Sequence, residues 1–278
     1  MVKKILAKSY IYLILFLMYL PILVLIAFSF STRTSIGDGY EFGFKLWTNL
    51  FNPEKSISKE IWTALGNTLI VAVTSAIVAT VLGTLGAIGA FYSKKKAQKG
   101  IELATQIPVS NPEIVMALSL VVMFVFLGIR FNYWTLLLGH VILGLPFVYL
   151  SVRPKLIQMD PHLYEAALDL GCSPSQALRK VVIPQILPGV LSGFLLSITL
   201  SLDDFIVTAF TRGPGLLSGT RTIETLSTLI QAKLKKGAIP PEMRPLTLII
   251  FLVVLAIAVF IAFRKNKEAN KIKERKGR

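Results

Sequence analysis

The feature that most constrains this chain is a succession of apolar runs, each long enough to cross a lipid bilayer. About 20 helical residues span the ~30 Å hydrocarbon core. Runs of that order lie at residues 10–30, 62–92, 101–127, 134–152, 188–210 and 245–263. In lipid a spanning segment must satisfy its own backbone polar groups, which makes runs of this length helices. The fold expected is an all-α polytopic membrane protein with six transmembrane helices. Of its 278 residues, 54% are hydrophobic and only 16% charged, too little charge for a soluble domain of this size. The net charge of +15 does not point to nucleic acid. The lysines and arginines stand beside the ends of runs, where they set orientation and touch anionic membrane lipid.

Lys3, Lys4 and Lys8 precede the first run. That run is too long for a cleaved signal segment, and no small-x-small site follows it, so it reads as an uncleaved span kinked at Pro21. Six spans put Lys94–Lys99, Arg153–Lys180, the basic tail and both termini on one side of the membrane. The positive-inside rule makes that side the cytosol. The organisation expected is 1–60, first span and extracytoplasmic loop; 61–263, a core of five spans; and 264–278, a basic cytosolic tail. No Gly-x-x-x-x-Gly-Lys-Ser/Thr loop occurs, nor a metal-ligand cluster or a nucleophile with a suitably spaced base. The chain therefore reads as no enzyme, with neither metal nor cofactor, and an energy source would have to be another subunit. Cys172 is the single cysteine; it cannot form an internal disulfide and reads as a small residue beside a hinge.

The informative residues are polar ones inside the runs. Gly83, Gly86 and Gly89, with Ala79, Ala87 and Ala90, allow close helix packing in the second span. Asn67 in that span needs a partner. The third run is interrupted by Pro108 and Asn111-Pro112-Glu113, and irregular backbone in a membrane survives only in protein or along a cavity. Glu113 is therefore in a pathway or paired. His140 in the fourth run reads first as a hydrogen-bonded packing residue. In the fifth run, Ser201-Leu202-Asp203-Asp204 places two adjacent acids about 23 Å along the helix from Pro188, in the outer part of the membrane. On one helix they point about 100° apart, so one lines a pathway while the other meets a partner; a cluster solvated by headgroups is the alternative. Trp47, in the polar stretch 31–60, reads as an interfacial anchor. Residues 223–230 form an amphipathic helix followed by Lys233, Lys235 and Lys236.

Between the fourth and fifth runs, Asp160-Pro161 forms an N-cap and first-turn pair. The helix it starts carries Leu163, Ala166, Ala167 and Leu170 as one apolar stripe and ends at Gly171 in a left-handed cap. Ser173-Pro174 caps a second short helix, which runs to Ile183 and stops at Pro184. Two short helices about a glycine hinge form a docking surface.

Glu165-Ala166-Ala167, Gly171 and Ile183-x-x-x-Leu187-Pro188 resemble the EAA loop of binding-protein-dependent ABC importer permeases of the MetI-like type I family. The run Ser201 to Pro214 resembles the Ser-x-Asp-Asp-x-x-Val-x-x-Phe-x-x-Gly-Pro segment of spermidine/putrescine permeases of the C-type subunit. The Leu46-Trp47-Thr48-Asn49 and Pro112-Glu113-Ile114-Val115 contexts are similar to that family too, which more often has Asp at the position of Glu113. The resemblance implies a multi-pass permease of the bacterial plasma membrane, with 160–183 as a cytosolic coupling helix. Glu165, Ala166, Ala167, Asp169 and Gly171 would couple it to ATPase subunits. Ser201, Asp203, Asp204, Glu113 and Trp47 would be substrate-pathway residues. The partners implied are a homologous second permease, two cytosolic ATPase subunits, an extracytoplasmic substrate-binding protein and a polyamine. Two other readings stay open: an ABC importer of another solute (an amino acid, thiamine or an iron complex), and a cation-coupled secondary transporter with Asp203 and Asp204 as its ion site.

Overall fold

Small residues decide how the central helices meet. In lipid no hydrophobic force draws one apolar helix to another, and close packing at small side chains supplies the attraction instead. The computed structural model describes residues 2–34, 37, 39–160, 162–213, 223–237, 239–256 and 259. Its helices are α1 (Val2–Ser29), α2 (Lys45–Phe51), α3 (Ser56–Phe91), α4 (Lys95–Ser110), α5 (Glu113–Phe126), α6 (Tyr133–Gln158), α7 (His162–Asp169), α8 (Pro174–Ala177), α9 (Ile183–Asp203), α10 (Ile206–Thr211) and α11 (Leu226–Lys235). A further apolar helix, α12, covers Met243–Ala256. Among the described residues the only extended pairing is an isolated bridge between Ser31 and Phe42. The described residues form an all-helical chain, as expected.

Four of the described helices are long and apolar enough to cross a membrane: Ser9–Ser29, Ser56–Phe91, Tyr133–Gln158 and Pro174–Asp203. The third expected span is two helices, α4 and α5, bent by 108° at Asn111-Pro112. Counted as one broken span, the pair makes five. The cause of the break is local. Proline offers no N–H and drives the preceding residue out of the helical region, and Asn111 is extended at φ −82°, ψ 143°. Of the expected sixth span, 245–263, the part up to Ala256 is helical; the rest lies outside the described residues apart from 259, as does the tail 264–278.

The chain divides into two compact units, Met1–Ile61 with Lys233–Arg278, and Trp62–Ala232. In the first, α2 buries Leu46 and Leu50. Asn49 donates to Glu242 at 3.3 Å, Lys233 pairs with Glu60 at 2.6 Å, and the Arg244 guanidinium donates to the carbonyls of Arg33 and Thr34. Between Tyr10 and Val24 the large apolar side chains of α1 are exposed, apart from half-buried Ile22.

The second unit is built on α3, α6 and α9. Asn132 opens α6 with a capping box closed by Thr135. Antiparallel to it, α9 presents Gly189, Gly193, Ser197 and Ser201, four residues apart, and all four are buried. Each successive turn meets the next turn back along α6: Gly189 lies against Ser151 and Val152, Gly193 against Val148, and Ser197 against Gly144. A methyl at Gly193 would lie 2.9 Å from the Val148 Cα, and one at Gly189 2.8 Å from the Ser151 carbonyl oxygen. On α3, Gly83 packs on Val148 and Ala79 on Gly144. Gly86 and Gly89, expected to share that packing, face open space: a methyl added at either would meet no heavy atom within 4 Å. The buried face of α3 is instead Ala79, Gly83, Ala87 and Ala90, which follows the helical repeat, whereas a strict three-residue step drifts off one face.

Two expectations about the fifth span are corrected. The helix begun at Ser173-Pro174 does not stop at Pro184. A π-helical turn, Leu178–Val182, joins α8 to α9. Pro184 and Pro188 sit within the continuous run Pro174–Asp203. The widened turn accommodates the missing N–H and the ring of Pro184, which an unbroken α-helix would not. At the other end the helix does not run on to residue 210. It stops at Asp203, and α10 starts afresh at Ile206.

This packing predicts unequal costs for equivalent substitutions. Gly193→Ala should destabilise the isolated chain in detergent by about 1–3 kcal/mol through overpacking, whereas Gly86→Ala should leave its thermal denaturation midpoint nearly unchanged. Equal midpoints for the two variants would contradict the α6–α9 interface described.

Candidate functional site

Where α9 ends, the chain turns one acid inward and leaves the other outside. Asp203 is the last helical residue and is exposed. Asp204 has left the helix, at φ −59°, ψ 126°, and is only 4% exposed. The expected 100° divergence on one helix is thus replaced by a break between the two. The short helix α10 has four unpaired N–H groups at its start, as any helix does, and Asp204 caps two of them. Its Oδ1 accepts from the Val207 N–H at 3.1 Å, and its Oδ2 from the Thr208 N–H and the Thr208 hydroxyl, each at 2.8 Å. Its backbone carbonyl accepts from the Ser227 hydroxyl at 2.7 Å.

His140 on α6 is 1% exposed and bridges the break. Its Nδ1 lies 2.7 Å from the Ser201 Oγ, on the α9 side. Its Nε2 lies 2.9 Å from the Thr208 Oγ1, on the α10 side, and 3.6 Å from the Asp204 Oδ2. The Ser75 hydroxyl of α3 reaches Ser201 at 3.4 Å. His140 is thus hydrogen-bonded on both ring nitrogens, as a packing histidine should be, but its partners are the residues of the acid cluster.

Glu113 arrives from the other broken helix. It stands in the first turn of α5, where the helix dipole favours an acid, and α5 packs against α10. Its carboxyl lies in the field of both Asp204 and Asp203. Like charges gathered in this way repel one another, and a cation among them relieves that repulsion. Breaks in two spans thus bring three acids together beside a buried histidine, with Glu113 half-buried and Asp203 exposed at the edge of the cluster. Asn67 finds the partner it needed, donating to the Glu224 carbonyl at 3.0 Å.

Trp47 belongs to the first unit, half-buried on α2 and stacked on Phe30 at 5.6 Å. The Glu165–Gly171 group lies at the opposite end of α9 from Asp203. Asp160 caps α7 by accepting from the His162 N–H at 3.0 Å; Pro161 lies outside the described residues. Gly171 has φ +84°. The Gly171 and Cys172 N–H groups return to the carbonyls of Leu168 and Ala167, a Schellman cap that requires this left-handed residue. The expected stripe is divided. Ala167 is buried, while Leu163, Ala166 and Leu170 are exposed, Leu170 by 86%. Glu165 and Asp169 are exposed beside them. The ring that holds α7 to the spans is Tyr164, 5.1 Å from Tyr92 at the end of α3. The Arg153–Glu102 ion pair joins α6 to α4.

Sequence reading missed Ser75 and Thr208 and did not connect His140 to the acids. Only the four-residue recurrence of Gly189, Gly193, Ser197 and Ser201 signals that this face of α9 is buried. His140 itself carries no local signal.

Residues 79–266 match the family described as binding-protein-dependent transport system inner membrane component. The chain is similar to the spermidine/putrescine transport system permease protein PotC of Haemophilus influenzae, 34% identical over 81% of this chain and 83% of that protein. It is 37% identical to PotC of Escherichia coli over 72% of each. It is also similar to the putrescine transport system permease protein PotI of Escherichia coli, 29% identical over 81% of this chain and 79% of that one. Among solved structures it resembles a chain of a bacterial ABC transporter involved in the import of the acidic polysaccharide alginate, with a TM-score of 0.67, 15% identity and coverage of 95% and 96%. It also resembles a chain of the MetNI methionine ABC transporter, with a TM-score of 0.57, 19% identity and coverage of 75% and 95%. The match over most of its length and these identities establish that the chain belongs to the binding-protein-dependent transport system inner membrane components, as a multi-pass permease of the ABC importer fold.

Proposed function

We propose that this chain is one of two homologous permease subunits of an ATP-driven importer of organic polycations, spermidine or putrescine. The observation that carries the reading is the convergence of Glu113, Asp203 and Asp204 at two broken helices. Acids gathered at the breaks of membrane helices suit a chain of ammonium groups and repel an anion. The names of the relatives support the same substrate class. The partially exposed Glu113 and Asp203 would meet the substrate, with Asp204 and Ser201 behind them and Trp47 as a further pathway residue.

The topology proposed is six spans with both termini in the cytosol, the sixth including residues beyond Ala256. The organisation is a first span and outer loop at 1–60, a permease core at 61–263 and a basic tail at 264–278. One of the two cytosolic ATPase subunits would dock on α7, where exposed Leu163, Glu165, Ala166 and Asp169, with Leu170 just beyond, form the outward face and the Gly171 cap fixes the angle. A substrate-binding protein would deliver the polyamine from outside. When the ATPases close, α7 would move as a rigid piece and carry α3 through Tyr164 and Tyr92, and α9 through the π turn. Hydrolysis of ATP belongs to the partner subunits.

Two outcomes test this. In vesicles carrying the full complex, Glu113→Gln should lower spermidine uptake about tenfold, the equivalent of ~1.4 kcal/mol, while basal ATPase activity persists. Native rates of uptake would remove Glu113 from the pathway. Deleting residues 165–171 should abolish both uptake and co-purification of the ATPase subunits. Retained uptake without ATP would instead support a secondary transporter.

A further inference from the structure

Asp204 and Asp203 differ in address although they are neighbours, and a side chain 61 residues away from Ser201 in sequence touches both sides of the break between them. The hydrogen-bond order at His140 is determined by counting protons. The Thr208 hydroxyl has one, and its short bond to a carboxylate is to the Asp204 Oδ2. The Thr208 oxygen must therefore accept from His140, so Nε2 carries a proton. In neutral imidazole Nδ1 is then the acceptor, and it takes the Ser201 hydroxyl proton at 2.7 Å. Ser201 in turn can accept from Ser75. A directed chain thus runs from α3 through α9 and α6 to the carboxylate that caps α10. With its two backbone amides and the Thr208 hydroxyl, Asp204 has its lone pairs largely engaged.

We infer that His140 is a positioning residue of the cation pathway. By holding Ser201 before the helix break and Thr208 after it, it keeps Asp204 turned inward as the cap of α10 and leaves Asp203 and Glu113 as the carboxyls offered to substrate. This rests on the polycation reading for its consequence in transport, but not for its geometry. His140 touches no substrate. Its work is to prevent the two aspartates from exchanging roles, since a free Asp204 would swing toward Glu113 and α10 would lose its cap.

The two ring nitrogens can be mimicked separately. A glutamine amide places a donor near Nε2, and an asparagine amide reaches only the position of Nδ1. The test is carboxyl labelling of the full complex in native vesicles with a carbodiimide and a small amine, mapped by mass spectrometry, beside spermidine uptake in the same vesicles. The native chain should label at Asp203 and be protected at Asp204. His140→Gln should keep that pattern and most of the uptake. His140→Asn should open Asp204 to labelling at a rate comparable to Asp203 and lower uptake about tenfold, with complex assembly unchanged; Thr208→Val should do the same. Equal behaviour of the Gln and Asn variants, or labelling of Asp204 in the native chain, would overturn the inference. If the native complex takes up no polyamine, the substrate reading fails, yet the labelling pattern still decides the role of His140.

Discussion

The close antiparallel approach of α6 and α9 is the constraint on which the second unit depends. Four small residues one turn apart, Gly189, Gly193, Ser197 and Ser201, let the two backbones come near enough for Val148, Ser151 and Gly144 to fill the space. The same register, carried one turn further, delivers His140 to Ser201. A larger residue at any step would part the helices and lengthen that hydrogen bond. The packing that holds the bundle together is therefore the packing that assembles the polar cluster, and the core beneath it, with Val141, Val148, Val152 and Leu156, is its foundation.

Broken helices put charge where continuous ones could not. A buried carboxylate in a membrane protein needs donors close by, and an unbroken helix has spent its amides on itself. The interruptions at Asn111-Pro112 and Asp204-Phe205 each create a helix start, with free N–H groups and a favourable dipole end. Glu113 and Asp204 occupy those two starts. The break after Asp203 also separates the adjacent acids by environment, one held by two amides and a hydroxyl, the other open. That asymmetry follows from backbone geometry, not from any chemical difference between two aspartates.

At the far end of the same helices the arrangement is mechanical. The Schellman cap at Gly171 and the capping box at Ser173 fix both sides of a tight turn. The π turn then passes without interruption into α9. A displacement of α7 is thus not absorbed in a loose loop. The stacked tyrosines give it a second attachment, to α3, which reaches the Ser75 end of the hydrogen-bonded chain about 26 Å away along its axis, at ~1.5 Å per residue.

Much of this was legible in the residues themselves. Apolar runs dictated helices and their approximate ends, because lipid admits little else. Asn111-Pro112 announced a break, Gly171 a left-handed cap and Ser173-Pro174 a helix start, since each is a local backbone rule. Other local rules misled. Pro184 read as a stop, and only the π turn ahead of it shows how the helix continues. Gly86 and Gly89 read as packing residues, yet a step of three drifts around a helix while the true interface keeps to the 3.6-residue repeat. Leu163, Ala166 and Leu170 read as one stripe with Ala167 but face away from the spans. The sequence by itself determined the helical class, the membrane setting, the family and the presence of acids at span breaks. The tertiary structure alone decided which aspartate is buried, what His140 holds and which side of α7 is free, because those depend on contacts between residues far apart in the chain that no local pattern encodes.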